Sequence, residues 1–296
     1  MLKRTLIYGV FLFLVMNFAM NIEGKVIYNP DDNTLWIEDG KDIEIVKDGA
    51  PEFWAGKAWA GKLEMETTED GFKVKSPSME QYVQGRHFKF SKEYPYLVWE
   101  IDKIVYGQGY KHLLLGFPYG VFQFVGNFYP GIFVVNPFLA HKDIKDFEYC
   151  RIYLYNSEIY FKYMKMVKRP DYLIEITGAD IEKKGYVEPG DELNFKVILK
   201  EGAEDVSLTF YDHFGTQEVK INGSSSLQLK PEDKEQKVWA GKIKIEDIGK
   251  PGINRKDNTV FLPSEFLIKA TVLGGKINLP LWTANWFEIR TTKETK

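Results

Sequence analysis

From His112 to His141, 30 consecutive residues carry no Asp, Glu, Lys or Arg, and eight of them are Phe or Tyr. A membrane-spanning helix is excluded on backbone grounds. Gly116, Pro118, Gly120, Gly126, Pro130, Gly131 and Pro137 interrupt the run, so no stretch approaches the roughly 20 helical residues a bilayer demands. The pieces between these breakers are strand-sized, Val121–Val125 and Ile132–Val135, and apolar on both faces. A sandwich strand ordinarily buries one face and wets the other. The second face of these strands therefore needs a cover, because a bare apolar face of this kind aggregates. The sequence favours a cover supplied by the rest of the chain. A ligand groove, or self-association through residues 112–141, is the alternative.

The remainder of the chain reads with a period of two, broken by turn residues. Leu63-Glu64-Met65-Glu66 alternates, Glu69-Asp70-Gly71 turns, and Phe72-Lys73-Val74-Lys75 alternates back, which predicts a hairpin with one buried face. Asn222-Gly223, between Val219-Lys220-Ile221 and Leu227-Gln228-Leu229, suits the two positive φ angles of a type I′ turn. Trp99 lies in register with Leu97 and Ile101 and is expected in the core. The tetrapeptide Trp-Ala-Gly-Lys recurs at positions 54, 59 and 239, twice ahead of an alternating strand. No amphipathic helix longer than two turns is predicted.

Strands at short spacing, divided by Gly, Pro, Asn and Asp, predict an all-β chain of two β-sandwich domains. The basic stretch Lys165–Arg169, closed by Pro170, marks the boundary. Residues 25–168 are expected to form a jelly-roll-like domain. Residues 171–296 are expected to form an immunoglobulin- or fibronectin-like one, through alternating segments such as Leu193–Leu199 and Val206–Phe210.

Residues 1–24 read as a signal peptide: Lys3 and Arg4, then an uncharged, mostly apolar run from Thr5 to Met20, then polar Asn21 and Glu23. This predicts export to the periplasm, cell surface or outside, with membrane contact only if the segment stays uncleaved. Cys150 is the single cysteine, so no internal disulfide forms. With 39 Lys and Arg against 42 Asp and Glu, the chain lacks the basic surface that a nucleic-acid partner requires.

Chemistry is sparse. The same-face pairs Glu64/Glu66 and Glu100/Asp102 could serve as paired acids, but such alternation is the ordinary pattern of a solvated strand face. His87, His112, His141 and His213 lack metal-ligand spacing, and Asp212-His213 reads as a loop tip. No catalytic residue and no cofactor is assigned. Structural calcium is considered only for the oxygen-rich loops 29–33 and 254–258. Ring stacking on a sugar is the chemistry best matched to this composition, with 15% aromatic residues. Trp36, Trp54, Trp59, Trp282 and Trp286 fall near turns or strand ends. The ligand-binding candidates are Trp54, Trp59, Phe122, Phe124, Tyr129 and Trp282. The function expected is that of an exported, non-catalytic protein binding a glycan or another cell-envelope macromolecule. The alternatives are a structural or assembly subunit and a polysaccharide-acting enzyme with an accessory domain.

Overall fold

The computed structural model describes residues 27–29, 34–36, 43–46, 54–58, 64–91, 94–107, 111–116, 122–140, 146–246, 253–254, 259–261, 266–277 and 279–290. Side chains are placed at 64, 66, 68–76, 94–105, 111, 127–139, 152–246, 266–277 and 279–290. The expected signal peptide therefore lies outside the described residues. No described helix is long and apolar enough to cross a membrane.

The chain is all-β. Its amino-terminal part contributes β1 (Ile27–Asn29), β2 (Thr34–Trp36), β3 (Ile43–Val46), β4 (Trp54–Ala58) and β5 (Glu64–Thr68). Two long strands, β6 (Gly71–Ser91) and β11 (Asp146–Val167), flank β7 (Tyr96–Gly107), β8 (Lys111–Gly116), β9 (Phe122–Asn127) and β10 (Gly131–Val135) in sequence. The carboxy-terminal part adds β12 (Leu173–Thr177), β13 (Tyr186–Val187), β14 (Glu192–Ile198), β15 (Asp205–Asp212), β16 (Val219–Lys220) and β17 (Ser226–Gln228). After these come β18 (Lys230–Pro231), β19 (Val238–Lys244), β20 (Ile253–Asn254), β21 (Thr259–Phe261), β22 (Phe266–Leu273), β23 (Leu281–Ala284) and β24 (Glu288–Ile289). Among the described residues the helices are single turns, α1 (Pro137–Ala140) and α2 (Ile181–Lys184).

The main sheet has 13 strands and runs β17-β15-β22-β23-β10-β7-β11-β6-β4, with β3, β5, β8 and β9 attached alongside. A four-stranded sheet, β12-β14-β19-β18, forms a second layer. At 21 and 22 residues, β6 and β11 are far longer than ordinary strands. Register shifts interrupt their pairing at Phe147/Tyr149 and Tyr155/Ser157, bulges of the kind that let a long ribbon bend. β11 ends at Val167 and bends follow to Tyr172, where the sequence puts its boundary. The main sheet crosses that position: β10 pairs in parallel with β23, Ile132 against Leu281 and Phe133 against Trp282.

The predicted hairpin at Glu69-Asp70 is present. Glu64 pairs with Lys75, Glu66 with Lys73 and Thr68 with Gly71, with Phe72 and Val74 buried and Glu64 and Glu66 exposed. The Asn222-Gly223 turn also forms, with φ of 52° and 81°. Its backbone closes between Ile221 and Ser224, but the strands leave it for different partners: β16 pairs with β21, and β17 with β15. The turn type follows from its two residues, whereas the pairing is decided by where the apolar side chains are buried.

Two hydrophobic cores meet at β10. Phe133 and Val135 join Trp99, Phe128, Phe161, Met164 and Trp282 in the first. Trp99 is fully buried, as its register predicts; it stacks on Phe133 at 4.3 Å and takes Phe128 edge-on at 5.6 Å. Ile132 and Val134, on the opposite face, join Val98 and the carboxy-terminal residues Ile174, Ile176, Leu193, Phe195, Val206 and Leu208. All five residues of β10 are buried. The doubly apolar strand at 131–135 thus finds both covers within the chain, the second one from the layer formed by β12 and β14. Gly131, at φ +122°, makes this approach sterically feasible: a Cβ there would lie 2.3 Å from the Pro280 carbonyl oxygen, which accepts a hydrogen bond from the Ile132 N–H at 3.0 Å.

Candidate functional site

Of the six ligand-binding candidates, the structure brings two together. Trp282 sits on β23 beside Phe133, and Tyr129 precedes β10. Their rings stack at 4.8 Å, and the Trp282 indole N–H donates to the Pro130 carbonyl at 3.1 Å. Tyr211, at the end of β15, leans on Trp282 at 5.6 Å. The ammonium of Lys269, the cross-strand neighbour of Trp282, lies 5.7 Å from the same ring, and that of Lys111 lies 5.8 Å from the Tyr129 ring, both within cation–π range. Trp282 itself is only 6% exposed, so the rings that reach the surface are Tyr129 and Tyr211, both half-buried. Trp54 lies on β4 opposite Gly85, and Phe122 and Phe124 lie on β9 opposite Gly116 and Leu114. The side chains of these three, and all of Trp59, lie outside the described residues.

The loop following Tyr211 holds this cluster from one side. The Asp212 carboxylate accepts from the Thr216 N–H at 2.8 Å, the Thr216 hydroxyl at 3.0 Å and the Gln217 N–H at 3.3 Å. It therefore serves the loop's backbone, as the loop-tip reading of Asp212-His213 expects. Asn127 donates its side-chain N–H to the His213 carbonyl. Gly215 lies against the Tyr129 ring, where a Cβ would come within 2.5 Å of the phenol oxygen. Burial first, and the Asp212 carboxylate second, raise the Tyr129 phenol well above its ordinary range. Burial alone lowers the Lys111 ammonium.

Beyond Trp282 the same face of the main sheet turns polar. Lys269 pairs with Thr209, Thr271 with Ser207, and β17 adds Ser226 beside Thr209 and Gln228 beside Ser207. The face thus grades from a closed aromatic core, through two part-exposed tyrosines, to a row of hydroxyls, an amide and an ammonium. These groups can donate to and accept from a polyhydroxylated ligand, while the tyrosine faces offer apolar contact.

The remaining candidates are placed without converging. Glu66 pairs with Lys73, and Glu64 approaches Lys75 at 3.9 Å. Glu100 pairs with Lys162 at 3.3 Å, and Asp102 is exposed. Of the histidines, only His213 has a described side chain, and it packs against Phe214 at 3.6 Å. Most of loops 29–33 and 254–258 lies outside the described residues. Among the described residues no cluster of three or more His, Cys, Asp or Glu is arranged to hold a metal ion. Trp239, in the third Trp-Ala-Gly-Lys copy, is buried and donates to the Gln236 carbonyl at 2.8 Å.

A cleft of about 210 Å³ escapes the sequence reading. It opens between β12 and the ends of β10 and β23, with Val134, Tyr96, Glu175, Glu182 and Trp286 in its wall. Trp286 is the one signal of it legible in the sequence, as a tryptophan just past a strand end. A second hollow of about 190 Å³ lies over Ile132 and Val98, bounded by Tyr163, Arg169 and Tyr172.

Neither a protein-family model nor a curated protein matches this chain. Among solved structures it is similar to a DUF4785 family protein from Legionella pneumophila, at 10% identity over 86% of this chain and 70% of that one, with a TM-score of 0.25. It is also similar to a beta-1,2-glucanase from Parabacteroides distasonis, at 7% identity over 86% of this chain and 37% of that one, with a TM-score of 0.26.

Proposed function

We propose that this is an exported, non-catalytic β-sandwich protein that binds a glycan or another cell-envelope macromolecule. The proposal includes its organisation: a signal peptide over 1–24, a jelly-roll-like unit over 25–168 and an immunoglobulin-like unit over 171–296, the two units sharing one sheet. The observation that carries the binding reading is the graded sheet face, where Tyr129 and Tyr211 stand at the margin of a row formed by Lys269, Thr209, Ser207 and Thr271. Flat rings supply apolar contact to the faces of sugar rings, and the hydroxyl and ammonium row fixes orientation. Glu64, Glu66 and Glu100 are engaged with lysines and Asp102 stands exposed on its strand, which favours binding over hydrolysis.

The test is retention on immobilised envelope polysaccharides and on a glycan array. Retention of the parent protein, lost in both Tyr211→Ala and Lys269→Ala, supports the proposal. No retention on any glycan, or retention unchanged by both substitutions, contradicts the sugar version. Self-association through 112–141 is proposed only for the β8–β9 part, since both faces of β10 are already covered. A strict monomer by light scattering would remove it.

A further inference from the structure

The two edges of the four-stranded layer are treated differently. On one side β18 is Lys230-Pro231, a lysine and a proline that deter further strand pairing. On the other side β12 is Leu-Ile-Glu-Ile-Thr, with neither. Among the described residues β12 pairs only with β14, so every second N–H and C=O along its outer side has no strand partner. Ile174 and Ile176 anchor it in the core, Leu173 packs half-buried against the same core, Glu175 is half-buried and Thr177 is exposed. Among the described residues it is a short, firmly seated edge that no further strand covers.

The cleft described above runs beside that edge. Its base is apolar, with Val134, Ile174 and Ile176, and its volume suits one or two side chains more than a whole small-molecule ligand. Its charged lining consists of Glu175 and Glu182, with no Lys, Arg or His among the lining residues. Lys196, opposite Glu175 on β14, is paired instead with Glu232 at 3.1 Å. Two ring faces, Tyr96 and Trp286, complete the wall. Carboxylates and aromatic rings around an apolar hollow attract a cation carried on an aliphatic stem.

We propose that this cleft binds an extended, basic peptide segment of a partner protein, added as a strand to the outer edge of β12. The peptide backbone pairs with β12, and one lysine or arginine enters the cleft between Glu175 and Glu182 over Trp286. This site is separate from the graded sheet face and takes a different class of ligand. Backbone pairing supplies affinity, and the acidic, ring-lined hollow supplies selectivity for a basic side chain at one position.

Fluorescence anisotropy on the full chain tests this with a labelled hexapeptide that alternates valine and threonine and carries one central lysine. Saturable binding of that peptide is expected. Replacing its lysine by glutamate, or methylating its alternate backbone nitrogens, should abolish binding. Glu175→Gln/Glu182→Gln should weaken it about tenfold, with an unchanged circular dichroism spectrum. Absence of binding up to millimolar peptide overturns the proposal. So does equal binding of the N-methylated peptide, which removes strand addition, or unchanged affinity in the double variant, which removes the carboxylates' role.

Discussion

On the Phe133 side of β10 the core is rich in rings and thioethers, among them Trp99, Phe128, Phe161, Met164 and Met166, beside aliphatic residues such as Leu97, Ile101 and Ile159. On the Val134 side it draws mostly on aliphatic residues, Val187, Leu193, Val197, Val206, Leu208 and Ile268. The aromatic core is drawn from strands of the main sheet, β6, β7, β10, β11, β22 and β23, together with Tyr94, Phe128 and Phe138 beside them. The aliphatic core lies between two layers whose strands alternate cleanly, as β12, β14 and β15 do. A strand facing one core can keep its other side polar. A stretch covered on both faces cannot, and β10 is uncharged and apolar because its consecutive side chains enter different cores. The shared strand also explains how the sheet crosses the expected boundary without a long linker.

The comparison can be broken most severely from the aromatic side. Phe133→Ala removes the ring stacked on Trp99 and should cost about 3–5 kcal/mol, read as a lower urea midpoint. Ile132→Ala, one residue away but in the other core, should cost about 2–3 kcal/mol, since the hollow beside it lets neighbours relax. If the two substitutions acted on independent units, each would lower a separate transition; a shared strand predicts that both lower the same one. Gly131→Ala probes the junction itself. With φ at +122° and the Pro280 carbonyl in the path of a Cβ, it should cost about 1–3 kcal/mol and raise amide exchange in β23 as well as β10.

Titration sharpens the comparison further. Burial raises the phenols of Tyr129, at the aromatic core, and Tyr163, against the aliphatic one. Their folded-state pKa values lie above the ordinary 10.0, so the neutral phenols' stabilisation is complete below pH 10 and is lost as pH rises through the higher folded-state values. Tyr129→Phe should flatten the alkaline fall in melting temperature and leave the neutral value nearly unchanged. Tyr163→Phe should flatten it too, but it also removes the hydrogen bond to Glu100 and so lowers the neutral value. The smallest effect is expected on the solvent side of the sheet: Glu66→Gln, on the exposed face of the β5–β6 hairpin, should leave the urea midpoint within experimental scatter.

Much of this was legible in the residues. Alternation at Phe72-Lys73-Val74-Lys75 and Leu193–Leu199 gives strands with the correct buried face. The absence of charge over Ile132–Val135 gives a strand covered on both sides. The pairing partners were not legible, because period two says which face is buried and not against what. Nothing local to Gly131 or Leu281 announces the parallel β10–β23 contact, and nothing around Asn222-Gly223 announces that its flanking strands part company. At the site, ring content pointed to Tyr129 and Trp282. Their burial and the hydroxyl row beside them come from the registers of β15, β17 and β22, which join segments dozens of residues apart. The cleft beside β12 is assembled from Tyr96, Glu175, Glu182 and Trp286, and no spacing rule links those positions.

Hydrogen exchange of the backbone amides of Ile132–Val135, followed by mass spectrometry on dilute monomeric protein, tests most directly that β10 is sealed on both sides by its own chain. Exchange as slow as that of β7 and β14 is the predicted result. Rapid exchange in the monomer, slowing only when the protein associates, would contradict it and would assign the cover of that strand to a second molecule.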